Sequence, residues 1–444
     1  MDRRVRSFSR LAKKRAVVSH VVLSVPAHVR LDPASAVFFV ALALATLFVT
    51  ARRPAYGIAA LVLADPYGDA HYLWWTTITI PKAVLAGVAL GLLVRRSSPA
   101  VLGGREIRPL LAGGVAIAFV TILTVFPAVY VDVVARESLK ALEYLAIFVV
   151  AAIAFANDPD ETPVWMALGI VTVTVSGSAL VQEFTVAPSG LMLFGRVVPR
   201  IAGLLEGPNQ LAGFFDIVVP LLLARALAPS GRVFAVLVAL AVATDVLTFS
   251  RAGMIGALAG ILAVALREAD PRARRNLALG GAVAGVAAAA ALVKAGLFSR
   301  FLSTSDVDTA SGLGSRGELW SAAVSFWRAH PWLGIGAGNF ELELPDAGLG
   351  GVRTHANSLY LQSLAEGGVA LFAANLFALG AAIRAFYVRA PKTPLFIGAG
   401  AATIALGAHQ VLDLLFFFPK IGGFWWLWLG IAAGALFARA NSQQ

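Results

Sequence analysis

The chain contains no cysteine, and of its 444 residues only 14% are charged and six are histidine. Without cysteine there is no disulfide, no thiolate nucleophile and no cysteine-ligated metal. The histidines are scattered, with no HExxH and no pair at ligand spacing, so neither a metal nor another cofactor is expected. GxxxxGK[ST] is missing too, which excludes a P-loop and means that energy for any reaction arrives with the substrate. Scarcity of charge is matched by an excess of apolar residues: 59% of the chain is hydrophobic and the mean hydropathy is +0.79. A soluble domain cannot bury that much apolar surface.

Apolar runs of bilayer-crossing length recur from end to end. They lie at Ala34 to Thr50, Ile78 to Val94, Pro109 to Pro127, Leu139 to Ala156, Val164 to Val181 and Leu211 to Leu227. Six more follow at Val233 to Phe249, Ala252 to Leu266, Leu277 to Leu297, Leu359 to Ile383, Leu395 to Leu414 and Gly422 to Phe437. The run from Ala55 to Ala64 is too short to span unaided, and whether it crosses stays open at this level. Only helices satisfy their backbone alone in hydrocarbon, so the expected fold is an all-α polytopic transmembrane bundle of about twelve spans. Stretches rich in Ala, Gly and Val, such as Gly280 to Ala291, suit close helix packing in lipid.

Cations crowd into three short loops: Arg95, Arg96, Arg105 and Arg108; Arg267, Arg272, Arg274 and Arg275; and Arg384, Arg389 and Lys392. The positive-inside bias assigns all three to the cytoplasm of a bacterial inner membrane. The longest connection, Phe298 to Arg353, then lies outside. The chain divides into a basic tail over 1–33, a membrane bundle over 34–297, an outer loop over 298–356, C-terminal membrane helices over 357–438 and a short tail over 439–444. The basic tail also belongs inside, provided that Ala55 to Ala64 does not cross. These loops and an anionic inner leaflet account for the net charge of +11, so membrane lipids are partners and nucleic acid is not.

Chemistry is expected in the outer loop and the helix ends beside it, where cations are disfavoured and need a reason. In Ser250-Arg251-Ala252-Gly253, Arg251 either binds phosphate at the mouth of a cavity or anchors a tight hairpin by snorkelling. In Gly314-Ser315-Arg316-Gly317-Glu318-Leu319-Trp320, Ser315 and Glu318 form a capping box that starts a helix running to His330 and stopped by Pro331. Arg316, Trp320, Val324 and Trp327 share a face suited to the membrane surface, and Arg316 sits at a helix N-terminus, where an anion is favoured. The Gly334 to Asn339 run reads as a turn. In Arg353-Thr354-His355-Ala356-Asn357-Ser358, His355 is either an interfacial residue or a base for a sugar hydroxyl. In Gly203 to Asn209, Asn209 is placed to cap the helix after Pro208 or to touch substrate. Asp306 and Asp308 form a DxD that reads as loop.

In this order, the GPN and SRAG elements, SRGELW, HPWLGIGAGNF and THANSLYLQSLAEGG resemble the O-antigen ligase and O-antigen polymerase superfamily of bacterial membrane glycosyltransferases. The resemblance covers most of the chain. It implies transfer of a glycan from an undecaprenyl diphosphate carrier to an acceptor hydroxyl outside the membrane, without metal or nucleotide sugar. The acceptor is a glycan, a lipid or the cell wall. Arg251 and Arg316 match the two arginines thought to engage the diphosphate, and His355 the base. The superfamily usually shows His-Asn directly before Leu-Tyr-Leu-Gln, where this chain has Asn357 and Ser358; His355 matches the first His of its H-x-H-N form. Substrate contacts are expected from Arg200, Asn209, Trp320, Arg353 and Asn357. Glu366, eleven residues past His355, reads first as a packing or ion-pairing residue. Two other readings stand: a transporter of lipid-linked glycans, and an assembly subunit that keeps the fold without the chemistry.

Overall fold

The computed structural model describes residues 31–442 apart from 69–70, 74–75, 186–190, 194–195, 199, 269–274, 276–315 and 353. The basic tail over 1–30, the expected span Leu277 to Leu297, the DxD, Ser315 and Arg353 therefore lie outside the described residues.

Helices dominate. In chain order they are α1 (Pro33–Arg52), α2 (Pro54–Ala64), α3 (Ile80–Arg95), α4 (Arg108–Leu123), α5 (Val131–Asn157), α6 (Thr162–Thr185) and α7 (Pro208–Leu227). They continue as α8 (Phe234–Val246), α9 (Arg251–Arg267), α10 (Arg316–Ala329), the single turn α11 (Phe340–Glu343), α12 (Leu359–Ala382), α13 (Pro394–His409) and α14 (Pro419–Ser442). Two small antiparallel hairpins join them: β1 (His71–Leu73) with β2 (Thr76–Ile78), and β3 (Leu191–Leu193) with β4 (Arg196–Val198). Proline at the first turn of α1, α2, α3, α4, α7 and α13 starts these helices where a missing N–H costs nothing.

Among the described residues six helices are long and apolar enough to cross a membrane: α1, α5, α6, α7, α12 with its π-helical extension to Arg389, and α14. Four shorter apolar helices, α2, α4, α8 and α13, pack among them. The protein is thus an all-α integral membrane protein, six of whose described helices are long and apolar enough to cross. Two expected spans end early because polar residues close them: Val233 to Phe249 shortens to α8 at Val246, and Leu395 to Leu414 shortens to α13 at His409.

The centre is α14 against α5. Gly430 and Gly434 let the backbones meet, since a Cβ at either would lie 2.6 Å from the Phe148 carbonyl oxygen or 2.7 Å from that of Ala152. Outward-facing apolar side chains such as Phe38, Leu44 and Phe48 of α1 are exposed, as a lipid-facing wall requires.

The ends of the bundle differ. At one end Arg389 pairs with Glu106, Arg53 with Asp158 and Asp160, and Arg439 with Glu161, while Arg267 donates to the Ala390 carbonyl. The three cation-rich loops therefore converge on one face. Helix α2 starts there at Arg53 and ends at Asp65, which feels the charges of Lys420 and Glu143 at the opposite end. The Ala55 to Ala64 run forms the short helix α2, buried along most of its length. Phe39, early in α1, meets the His71 ring of the β1 hairpin edge-on.

Helix α12 is broken at Gly368, whose φ of +61° only glycine adopts readily. The outer segment after α10 fills the break: Val369 donates to the Pro331 carbonyl, Ile335 to Ala365 and Gly336 to Glu366. A gap in a membrane helix is tolerated because protein, not lipid, satisfies its freed groups. Gly334 (φ +62°) is required here, since a Cβ would strike the Glu366 backbone. The Gly334 to Asn339 stretch is the turn the sequence suggests, with positive φ at Gly334, Gly336 and Gly338.

Candidate functional site

The candidate residues fall into two groups at the end away from the cationic loops. The first surrounds the starts of α7 and α9. Asn209 is not the cap expected of it: Gly207 caps α7, and the Asn209 side-chain oxygen accepts from Arg200 Nη2 at 2.9 Å. Arg200 also donates through Nε to the Thr248 carbonyl at 3.1 Å. Thr248 Oγ1 accepts from the Ser250 amide, and Ser250 caps α9 by accepting from Gly253 N. Arg251 follows directly, at the first turn of α9, after Phe249 in the left-handed region at φ +51°. One polar cluster thus links Arg200, Asn209 and the backbone that carries Arg251.

The second group surrounds His355. Helix α10 buries Leu319, Ala322 and Ala323 against Phe340, Leu344, Ala356 and Ala365. Its Trp320 face does not simply lie on the surface, because Trp320 Nε1 donates to the Ala356 carbonyl at 2.9 Å. Ala356 N–H in turn donates to Gln362 Oε1 at 2.8 Å. With Asn357 in the left-handed region (φ +49°) and Ser358 capping α12, the backbone around His355 is fixed from three sides. Trp320, Ser321, Val324, Ser325, Arg328 and Leu361 line an adjoining groove of about 580 Å³.

The imidazole packs on Phe417, ring centroids 4.1 Å apart. Burial, reinforced by the nearby Lys140 ammonium and opposed by the Asp413 carboxylate, pushes His355 down to about 4. Lys140 lies over the same ring, 4.2 Å from the Phe417 centroid, donates to the Phe417 carbonyl and pairs with Glu137. The Arg316 guanidinium is close enough for its charge to act on Asp413. Phe417 thus carries His355 and the Glu137-paired Lys140, and Asp413 and Arg316 act on this site through their charges. Glu366 Oε1 accepts from Phe340 N at 3.1 Å and Gln362 Nε2 at 2.8 Å, a tether for the turn after α10.

The segment from Gln410 to Lys420 joins the two groups. The Leu359 amide at the start of α12 donates to the carbonyls of Gln410 and Asp413. A Cβ on Gly213 of α7 would meet Leu415, and Lys420 donates to the Leu204 carbonyl beside Glu206. Sequence reasoning missed this segment, Lys140 and Glu137. The signal was present in His409, Gln410, Asp413 and Lys420, polar residues in an otherwise apolar stretch.

The bundle thus carries arginines and a buried histidine toward the end away from its cationic loops. Residues 235–376 match the family model described as O-antigen ligase, which supports the O-antigen ligase/polymerase superfamily for this chain. The match covers α8 to α12, with Arg251, Arg316 and His355, and stops short of Arg200, Asn209 and Asp413. No curated protein matches the chain.

Proposed function

We propose that the protein is a metal-independent glycosyltransferase that moves a glycan from an undecaprenyl diphosphate carrier to an acceptor hydroxyl on the outer face of the cytoplasmic membrane. The observation that supports this most is a His355 buried within the family-matching region and packed on Phe417, with the Asp413 carboxylate near enough for its charge to act on the imidazole and the Arg316 charge acting on Asp413.

In this reading a neutral imidazole of His355 accepts the proton of the acceptor hydroxyl as its oxygen bonds to the anomeric carbon. The bond from that carbon to the diphosphate breaks, and the carrier leaves with the electron pair. Arg316 and Arg251 stabilise the charge that builds on it, where a water-poor cavity makes guanidinium contacts strong. Asp413 stabilises the imidazolium, as a carboxylate does beside a catalytic histidine. Arg200 and Asn209 hold the α7 to α9 junction, and Trp320, Asn357 and Arg353 bind donor or acceptor sugars. An imidazole near 4 is a weak base; an arriving diphosphate raises it toward the working range by its negative charge.

The test is transfer from a purified undecaprenyl diphosphate oligosaccharide by the reconstituted protein, with EDTA and without nucleotide. Transfer by wild type, lost in Arg316→Ala and His355→Ala, supports the reading. Movement of the lipid-linked glycan across vesicles without transfer replaces it with a transporter.

A further inference from the structure

Behind the His355 cluster lies a second set of acidic and basic groups that the proposed reaction does not use. His409, the last residue of α13, and Asp216, in the middle of α7, are both fully buried and meet at 2.6 Å between Nδ1 and Oδ2. The other ring nitrogen, Nε2, points at Asp413 Oδ2 from 3.8 Å, about 1 Å beyond hydrogen-bond length. Among the described residues, His409 Nε2, Asp413 Oδ2 and Asp216 Oδ1 have no hydrogen-bond partner, and neither does Oδ1 of buried Asp245 in α8, whose carboxylate feels Asp216. Gly256 of α9 completes the wall, because a Cβ there would strike the Asp216 carboxylate.

Unpaired polar atoms in an apolar bundle are costly and ask for a role. Asp216 orients the imidazole so that its other nitrogen is turned toward Asp413. The Asp413 carbonyl accepts from the Leu359 amide, four residues past His355, and the Asp413 carboxylate is near enough for its charge to act on that imidazole. Asp216 and Asp413 thus flank opposite nitrogens of one ring, and groups so coupled titrate together.

We infer that Asp216 and His409 are positioning residues that fix the orientation and charge of Asp413 and, through it, the basicity of His355. The inference rests on the glycosyl-transfer reading, and it adds a relay that runs from the membrane core to the site. Groups facing the relay are Asp245 from α8, Arg316 from α10, Lys140 with its partner Glu137 from α5, His355 from the loop before α12 and Asp413 itself.

The experiment uses full-length protein in lipid nanodiscs, labelled with 15N-histidine, the six histidines being assigned by single His→Gln variants. Beside wild type stand Asp216→Asn, His409→Gln, Asp413→Asn and the packing control Thr403→Ala, which removes a buried hydroxyl bonded to Trp425 on the same helix α13. The relay predicts that Asp216→Asn and His409→Gln move the His355 titration midpoint by at least half a pH unit. It also predicts a fall in turnover of about tenfold with unchanged KM for the donor, and a displaced acid limb of the pH profile, whereas Thr403→Ala moves neither midpoint nor limb. Should the Asn variant at 216 not fold, His409→Gln reads the same coupling to His355, and Asp413→Asn sets the full size of the shift that the relay can produce. An unchanged His355 midpoint and pH profile in the charge-removing variants overturns the relay while leaving glycosyl transfer intact. A coupled titration in a wild type that transfers nothing upholds the relay and removes the transferase reading.

Discussion

At His355 the two demands on a base pull apart. Burial beside Phe417 and near Lys140 keeps the imidazole neutral, which leaves it free to accept a proton, and the same burial makes it reluctant to do so. The consequence for stability has a definite sign. With the folded value near 4 and the ordinary value near 6.5, the unfolded chain binds more protons between those limits. Stability is therefore full above pH 6.5 and falls as pH drops toward 4, by on the order of 2 kcal/mol after allowing for partial exposure. Thermal melts of wild type and His355→Asn in nanodiscs at pH 7.5 and 4.5 check this: the wild type should lose more than the variant. An equal loss would mean that the imidazole titrates normally. Trp320 makes a second prediction at this scale. Trp320→Phe keeps the ring but removes the hydrogen bond to Ala356, costing about 1 kcal/mol. If the loop must be fixed for transfer, turnover should drop several-fold while donor KM holds, as measured in the reconstituted assay.

Among the elements, the broken helix α12 decides where the loop sits. Its gap at Gly368 receives the Pro331 to Gly336 strand of backbone, so Gly368 and Gly334 carry constraints from two segments at once. Gly368→Ala places a Cβ into the Trp332 backbone at a left-handed φ, and it should destabilise the protein by about 2 kcal/mol or more. Gly380→Ala in the same helix meets open space and serves as the neutral comparison in denaturant or thermal unfolding. This element also shows the limits of reading order from sequence. Gly334-Ile335-Gly336 is recognisable as a turn, and the α10 helix is recognisable from Pro331 and its apolar spacing. That the turn enters the middle of a helix thirty residues downstream is a tertiary pairing with no local signature. The same holds for Lys140 and Phe417, whose contact needs α5 and the α13 to α14 link to be adjacent. Arg251, Arg316 and His355 stand out in the sequence as polar residues at apolar helix ends, whereas Lys140 and Asp413 sit at a helix start or inside an apolar run.

For the whole molecule, composition alone places the chain in a membrane, and among the described residues six helices are long and apolar enough to cross it. Short helices such as α2 and α13 are accommodated because neighbours bury them, a condition that a hydropathy window does not see. Convergence of Arg53, Arg267, Arg389 and Arg439 on one face, with Arg200, Arg251, Arg316 and His355 toward the other, gives the bundle a polarity that the positive-inside bias turns into an orientation. The absence of cysteine makes this directly measurable, since every introduced thiol is unique. Ser325 on the exposed side of α10 and Ser98 in the first cation-rich loop are both exposed serines that cysteine replaces with little change in volume. In intact cells with the outer barrier permeabilised, a membrane-impermeant maleimide should label Ser325→Cys and spare Ser98→Cys until the inner membrane is lysed. The reverse pattern would put the His355 cluster in the cytoplasm, where a lipid-linked glycan on the outer leaflet cannot reach it, and both the proposed donor and the outer-face site would fall together.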